Sequence, residues 1–135
     1  MTTRKQDSLS LRSQDDVVVA RQRTRTWAVE AGLNLVDQTK LVTAASELAR
    51  NTVIYGGGGS MLLELVENGG RKGLRLTFED RGPGIPDIER ALADGFTTGN
   101  GLGLGLGGAR RLVNDFTIES EPGKGTRIAV VRWKA

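Results

Sequence analysis

Glu47 and Asn51 are the first residues in this chain whose types and spacing could do chemistry. Four residues apart on a helix, their side chains lie one above the other on the same face. A carboxylate and an amide carbonyl placed so would meet a hydrated Mg²⁺ and a reacting hydroxyl or water. Alone, such a pair is usually an ordinary solvated helix surface. The second candidate is Asp80-Arg81-Gly82-Pro83-Gly84-Ile85. An aspartate at a strand end followed by glycines can accept a hydrogen bond from an exocyclic amine, in a pocket the glycines leave open. An Asx-type turn after a strand is the plainer reading.

The third candidate is the run from Gly99 to Gly108, which leads into Ala109-Arg110-Arg111-Leu112. Backbone N–H groups of a glycine loop delivered at a helix start suit phosphate oxygens. Gly103, Gly105 and Gly108 formally satisfy G-x-G-x-x-G, but the polar stretch from Phe96 to Asn100 stands where that fingerprint needs an apolar strand. A Walker A loop is excluded as well: Gly123-Lys124 is followed by Gly125, and Ile118 holds the position of the earlier glycine. Arg110 and Arg111 would face either phosphates or solvent, and the sequence leaves both open.

These segments need elements to hold them. Ser8 to Leu11 reads as a short first strand and residues 1–7 as a disordered tail. Asp15 and Asp16 offer an N-cap to a helix carrying Val17, Ala20, Thr24, Trp27, Ala28 and Ala31 at helical spacing, with Gly32 as its stop. A second helix is expected from Val36 to Ile54, with Leu41, Ala45, Leu48 and Thr52 on one face, ended by the flexible connection Gly56 to Gly59. Met61 to Val66 and Leu74 to Glu79 read as strands joined at Asn68-Gly69-Gly70, a strong hairpin signal. A short helix from Asp87 to Ala93 and another from Gly108 to Asn114 flank the glycine-rich segment. Strands Phe116 to Ser120 and Thr126 to Trp133 close the chain around the turn from Pro122 to Gly125. This order predicts an α+β fold, with helices on one face of a mixed, mostly antiparallel sheet and all 135 residues in one domain.

Composition narrows the chemistry further. The 135 residues carry 19 basic and 16 acidic side chains, no histidine and no cysteine. Disulfides, thiol nucleophiles, Ser-His triads and phosphohistidine on this chain are therefore excluded, as are most zinc and facial-triad iron sites. A metal here must be a hard cation held by oxygen, which points to Mg²⁺. No apolar run approaches the ~18 residues of a membrane span, and Met1 to Arg12 has no signal-peptide centre, so a cytoplasmic protein without a membrane partner is expected. Basic residues alternate with acidic ones except at Arg21, Arg23 and Arg25, and six aromatics do not make a base-stacking platform. No nucleic-acid partner is expected; the three arginines are a candidate surface for a protein partner.

Taken together, Glu47 with Asn51, Asp80-x-Gly82-x-Gly84, the repeated Gly-x-Gly before a helix, and Gly125-Thr126 opening a strand resemble the GHKL (Bergerat) ATP-binding fold over about residues 40 to 130. Val36-Asp37-Gln38, Ser46 to Asn51, Lys72-Gly73-Leu74, Asp80 to Ile88, Asp94 to Thr98 and Gly123-Lys124-Gly125-Thr126 are similar to the RsbT type of switch kinase, the anti-sigma-related serine/threonine kinases of bacterial stressosomes. Gly107 departs from the pattern, standing where a proline is common.

The resemblance implies ATP or ADP and Mg²⁺ as ligands. Asn51 would coordinate the Mg²⁺, Glu47 would orient or deprotonate the attacking hydroxyl, and Asp80 would accept from the adenine amino group with support from Thr126. Gly82 and Gly84 would leave room for the base beside Ile85. Gly101, Leu102, Gly103, Leu104, Gly105 and Gly107 would wrap the phosphates as a short lid. It further implies phosphorylation of a STAS-domain antagonist protein, whose release frees the kinase to activate a downstream phosphatase or other signalling enzyme. The alternative is an anti-sigma factor or binding module that sequesters its partner with little or no kinase activity.

Overall fold

The computed structural model describes residues 1–93 and 105–135. Four helices, α1 (Gln14–Glu30), α2 (Leu35–Ile54), α3 (Ile88–Leu92) and α4 (Leu106–Arg111), accompany five strands. These are β1 (Thr2–Leu11), β2 (Gly59–Asn68), β3 (Arg71–Asp80), β4 (Asp115–Glu121) and β5 (Gly125–Trp133). The sheet order is β1-β2-β3-β5-β4, and every pair among the described residues is antiparallel. No helix among them is long and apolar enough to cross a membrane.

Alternation along the strands decides which face is covered. Met61 and Leu63 on β2 sit opposite Phe78 and Leu76 on β3, and these four are at most 2% exposed. With Ile128 and Val130 of β5 they form the floor on which α1 and α2 lay Trp27, Leu41, Ala45 and Leu48. The β2–β3 connection is the two-residue loop Gly69-Gly70, with φ of 59° and 82°. Two consecutive positive φ values belong to the type I′ turn that matches strand twist, and glycine adopts them without a Cβ penalty.

Helix α2 is capped by Asn34, whose side chain accepts from the Asp37 amide at 2.8 Å. Helix α1 starts after Ser13, two residues before the nearer of the two aspartates expected to cap it; Asp16 instead turns back to accept from the Arg12 amide at 2.8 Å. Helix α4 spans Leu106–Arg111 rather than 108–114. It is fastened by Arg132, which pairs with Asp37 of α2 at 2.7 Å and donates to the Leu112 carbonyl at 3.4 Å.

The expected tail at residues 1–7 is a strand. β1 pairs with β2 from Thr2 opposite Glu67 to Leu11 opposite Gly59, with an irregularity between Thr3 and Lys5. Its polar side chains find partners: Arg4 pairs with Glu67 at 2.9 Å, Lys5 with Glu30 at 3.0 Å while lying over the Trp27 ring, and Asp7 with Arg23 at 2.8 Å. Edge strands tolerate such charges, which discourage pairing with other chains. On the face away from the helices, Arg75 grips Glu64 through two 2.9 Å hydrogen bonds and Thr3 adds a third at 2.9 Å. The Arg75 guanidinium holds the Glu64 carboxyl below its usual range, against the opposing effect of burial.

Candidate functional site

A cavity of about 330 Å³ opens between the C-terminal half of α2, the end of β3, the loop that follows it, and the starts of α4 and β5. Leu48, Phe78, Leu106 and Ile128 give it apolar walls, Asn51 and Tyr55 line it from α2, and Asp80 and Thr126 from the sheet. Asp87, Arg90 and Ala91 close the side formed by α3.

Asp80 is the half-buried carboxylate of this cavity. Its Oδ1 accepts from the Gly82 amide at 2.9 Å. Burial pushes its carboxyl above the usual aspartate range; hydrogen bonds from the Gly82 and Thr126 backbone oppose that, and the charge of Glu79 adds to it. Antiparallel pairing sets Asp80 opposite Thr126, and Thr126 opposite Ser120, so three strands carry one row of polar side chains. Ser120 ties the row to the loop: its hydroxyl lies 2.8 Å from that of Thr126, donates to the Gly125 carbonyl at 3.1 Å, and accepts from the Ile85 amide at 2.7 Å. The Gly123 amide donates to Pro83 at 2.7 Å, so the loop after β3 is fixed at two points to the β4–β5 turn.

Glycines here let backbones meet. A Cβ on Gly56 would collide with the Asp80 carboxyl group. One on Gly82 would fall 2.8 Å from the Gly56 Cα, and one on Gly84 would strike the Glu121 carbonyl. Both glycines thus serve close backbone packing, and of the two Gly84 also lines the cavity, together with Ile85 and Asn51. The Gly56 to Gly59 run is likewise more than a connection, since Gly56 packs on Asp80 and Gly59 on the Glu79 carbonyl.

Glu47 and Asn51 share a face of α2 but look into neighbouring hollows. Asn51 lines the cavity, whereas Glu47 lies in an adjacent groove with Thr43, Gly105, Gly108 and Arg111. The Glu47 carboxylate pairs with Arg50 at 3.0 Å. Gly105, the N-cap of α4 at φ 65°, abuts it so closely that a Cβ there would overlap the carboxylate. Gly107 is buried inside α4, and Arg110 is exposed on it. Gly101, Leu102, Gly103 and Leu104 lie outside the described residues. Of the helix-1 arginines, Arg23 is committed to Asp7, and Arg25 reaches Gln38 and Thr39 at 3.4 Å, leaving Arg21 as the exposed one.

Sequence reasoning missed Ser120, Gly56, Tyr55 and Arg90. Ser120 was within reach: it and Thr126 each lie three residues from Gly123, so hairpin pairing centred there would have placed it beside the site. Tyr55, four residues after Asn51 at the end of the same helix, carried the same spacing signal as Glu47, whereas Gly56 and Arg90 are brought in by tertiary packing.

Residues 36–135 match the model of the histidine kinase-, DNA gyrase B- and HSP90-like ATPases. The chain is 45% identical over 128 residues to the serine/threonine-protein kinase RsbT of Bacillus subtilis, covering 95% of this chain and 96% of that protein. It is 30% identical over 117 residues to the anti-sigma F factor of Geobacillus kaustophilus, covering 81% and 78%. Among solved structures, the RsbU and RsbW domains of a Mycobacterium tuberculosis protein superpose with a TM-score of 0.64 at 21% identity, over 97% of this chain and 33% of that longer one. The catalytic domain of histidine kinase ThkA superposes with a TM-score of 0.56 at 15% identity, over 95% of this chain and 96% of that one. The family match over most of the chain and the near full-length identity agree with the sheet order and the cavity: this chain belongs to the histidine kinase-, DNA gyrase B- and HSP90-like ATPase family.

Proposed function

We propose that the chain is an ATP- and Mg²⁺-dependent protein serine/threonine kinase of the cytoplasm. In this reading it acts as a partner switch: it phosphorylates a STAS-domain antagonist and, once released, activates a downstream phosphatase or signalling enzyme. The observation that carries the reading is the cavity lined by both Asp80 and Asn51, on a chain 45% identical to a serine/threonine kinase over nearly its whole length. The lower identity to anti-sigma F factors gives less support to pure sequestration.

The chemistry of the lining suits an adenine nucleotide. Apolar walls receive a flat base, and a half-buried carboxylate takes its exocyclic amine as donor; a single well-placed hydrogen bond of this kind fixes orientation. Asn51 offers one amide oxygen, which suits Mg²⁺, an ion that keeps several waters and takes one or two protein ligands. When bound, Mg²⁺ would neutralise phosphate charge. Glu47, next along the same helix face, would receive the proton of the attacking hydroxyl, and the start of α4 beside it fixes the approach. Phosphoryl transfer asks for positioning and charge neutralisation, and these groups supply the positioning.

The test is transfer of ³²P from γ-labelled ATP to STAS-domain proteins encoded in the same genome. Label on serine or threonine of one of them, absent with the Glu47→Ala variant, is the expected result. Transfer undiminished in Glu47→Ala would refute the catalytic assignment, and no transfer to any of them would favour sequestration.

A further inference from the structure

We infer that Arg50 is a positioning residue for Glu47: it holds one carboxylate oxygen so that the other alone is presented to the reacting hydroxyl. The inference rests on the reading of Glu47 as the proton acceptor and goes beyond it by giving Arg50 a part in the reaction.

The geometry confines the carboxylate on two sides. Arg50, three residues further along α2, places Nη1 3.0 Å from Glu47 Oε2. Oε1 is the atom nearest to where a Cβ on Gly105 would stand, so the backbone at the start of α4 bounds the other side. A carboxylate's terminal torsion is broad and roughly two-fold, so an unheld glutamate offers either oxygen in many orientations. A charge-assisted hydrogen bond to one oxygen removes that freedom. Among the described residues Glu47 is the one ion-pair partner of Arg50.

The pair has little to contribute to stability. The Arg50 side chain is 44% exposed and that of Glu47 33%, and exposed ion pairs of this spacing stabilise helices only slightly. A long flexible cation spent on the carboxylate beside Asn51 is therefore better explained by orientation. In the step it serves, the acceptor hydroxyl loses its O–H bond and forms a bond to the γ-phosphorus. The bond from that phosphorus to the bridging oxygen breaks, ADP leaves with the electron pair, and the proton passes to Glu47 Oε1.

The experiment measures Mg²⁺-ATP hydrolysis, with water as acceptor, on the full chain and on Arg50→Gln, Arg50→Lys, Glu47→Gln and the double Gln variant. Arg50→Gln is expected to lower kcat about tenfold or more, the scale of a misaimed catalytic group. KM for ATP should stay within about twofold and Tm within about 2 °C, because the pair is exposed. Arg50→Lys should recover part of kcat, and adding Arg50→Gln to Glu47→Gln should cost nothing further. An Arg50→Gln variant with wild-type kcat, or one whose loss persists in full on the Glu47→Gln background, overturns the inference. Wild-type turnover by Glu47→Gln itself would instead remove the assignment of Glu47 as proton acceptor, and the role of Arg50 with it.

Discussion

Replacing Asp80 by asparagine isolates the one polar contact that the account assigns to base recognition. The side chain keeps its size and keeps an oxygen to accept from the Gly82 amide, now at 2.9 Å from Oδ1. What changes is the second position, beside Gly56, where an NH₂ group replaces an acceptor. A donor facing the adenine amine loses a hydrogen bond to a charged acceptor, about 1.5–3 kcal/mol. At 1.4 kcal/mol per decade that weakens ATP by about tenfold to about 150-fold. Inosine triphosphate, which carries an oxygen in place of the amine, should bind Asp80→Asn no worse than wild type. Calorimetric titration of both nucleotides in Mg²⁺ decides it. Tm should not fall, since the amide relieves the cost of burying a carboxylate. ATP affinity within twofold of wild type would refute the reasoning, as would equal losses for both nucleotides.

The Asp80 carboxyl also sets a pH dependence. Because its range is raised in the folded protein, ATP affinity should fall as pH drops through a value above the usual aspartate range, and Asp80→Asn should lack that step. Its effect on stability has the opposite sense: the contribution present in acid is lost as pH rises through the raised value, which urea midpoints across pH would reveal. Gly56→Ala, whose Cβ meets the Asp80 carboxyl, should destabilise by about 1–3 kcal/mol and weaken ATP together, read by thermal melts and calorimetry. Arg75→Ala leaves Glu64 buried and unpaired, an expected loss of about 3 kcal/mol in chemical denaturation; Arg75→Met with Glu64→Leu should recover most of it. Glu64 has a lowered range, so its stabilisation is present at neutral pH and lost as pH falls through that lowered value.

What the sequence made legible was local. The Gly69-Gly70 turn, the Leu74-Leu76-Phe78 alternation and the Leu41-Ala45-Leu48-Thr52 stripe each specify geometry within a few residues, and the structure places all three as read. Strand β1 was half missed because residues 2–7 bury no apolar side chain; what holds them are charges supplied by β2 and α1, distant in sequence. The site divides in the same way. Asp80 and Asn51 could be picked out by type and spacing, Ile85 and Thr126 only through the family resemblance, and all four line the cavity. The walls from Arg90 and Leu106 could not, because they arrive by packing of helices whose mutual placement no short motif records. Gly82 and Gly84 show the limit of motif reasoning: their type was legible, but the partner that requires glycine is backbone from other parts of the chain.

The central claim, that the cavity beside Asp80 and Asn51 receives an adenine nucleotide, is tested most directly by amide NMR during titration with a non-hydrolysable ATP analogue in Mg²⁺. Binding there predicts the largest shifts at Gly82, Gly84, Ile85, Asn51 and Thr126, saturating together and lost in Asp80→Asn. Saturating shifts confined to the opposite face of the sheet, around Arg75 and Trp133, would contradict it, as would no shifts at millimolar analogue.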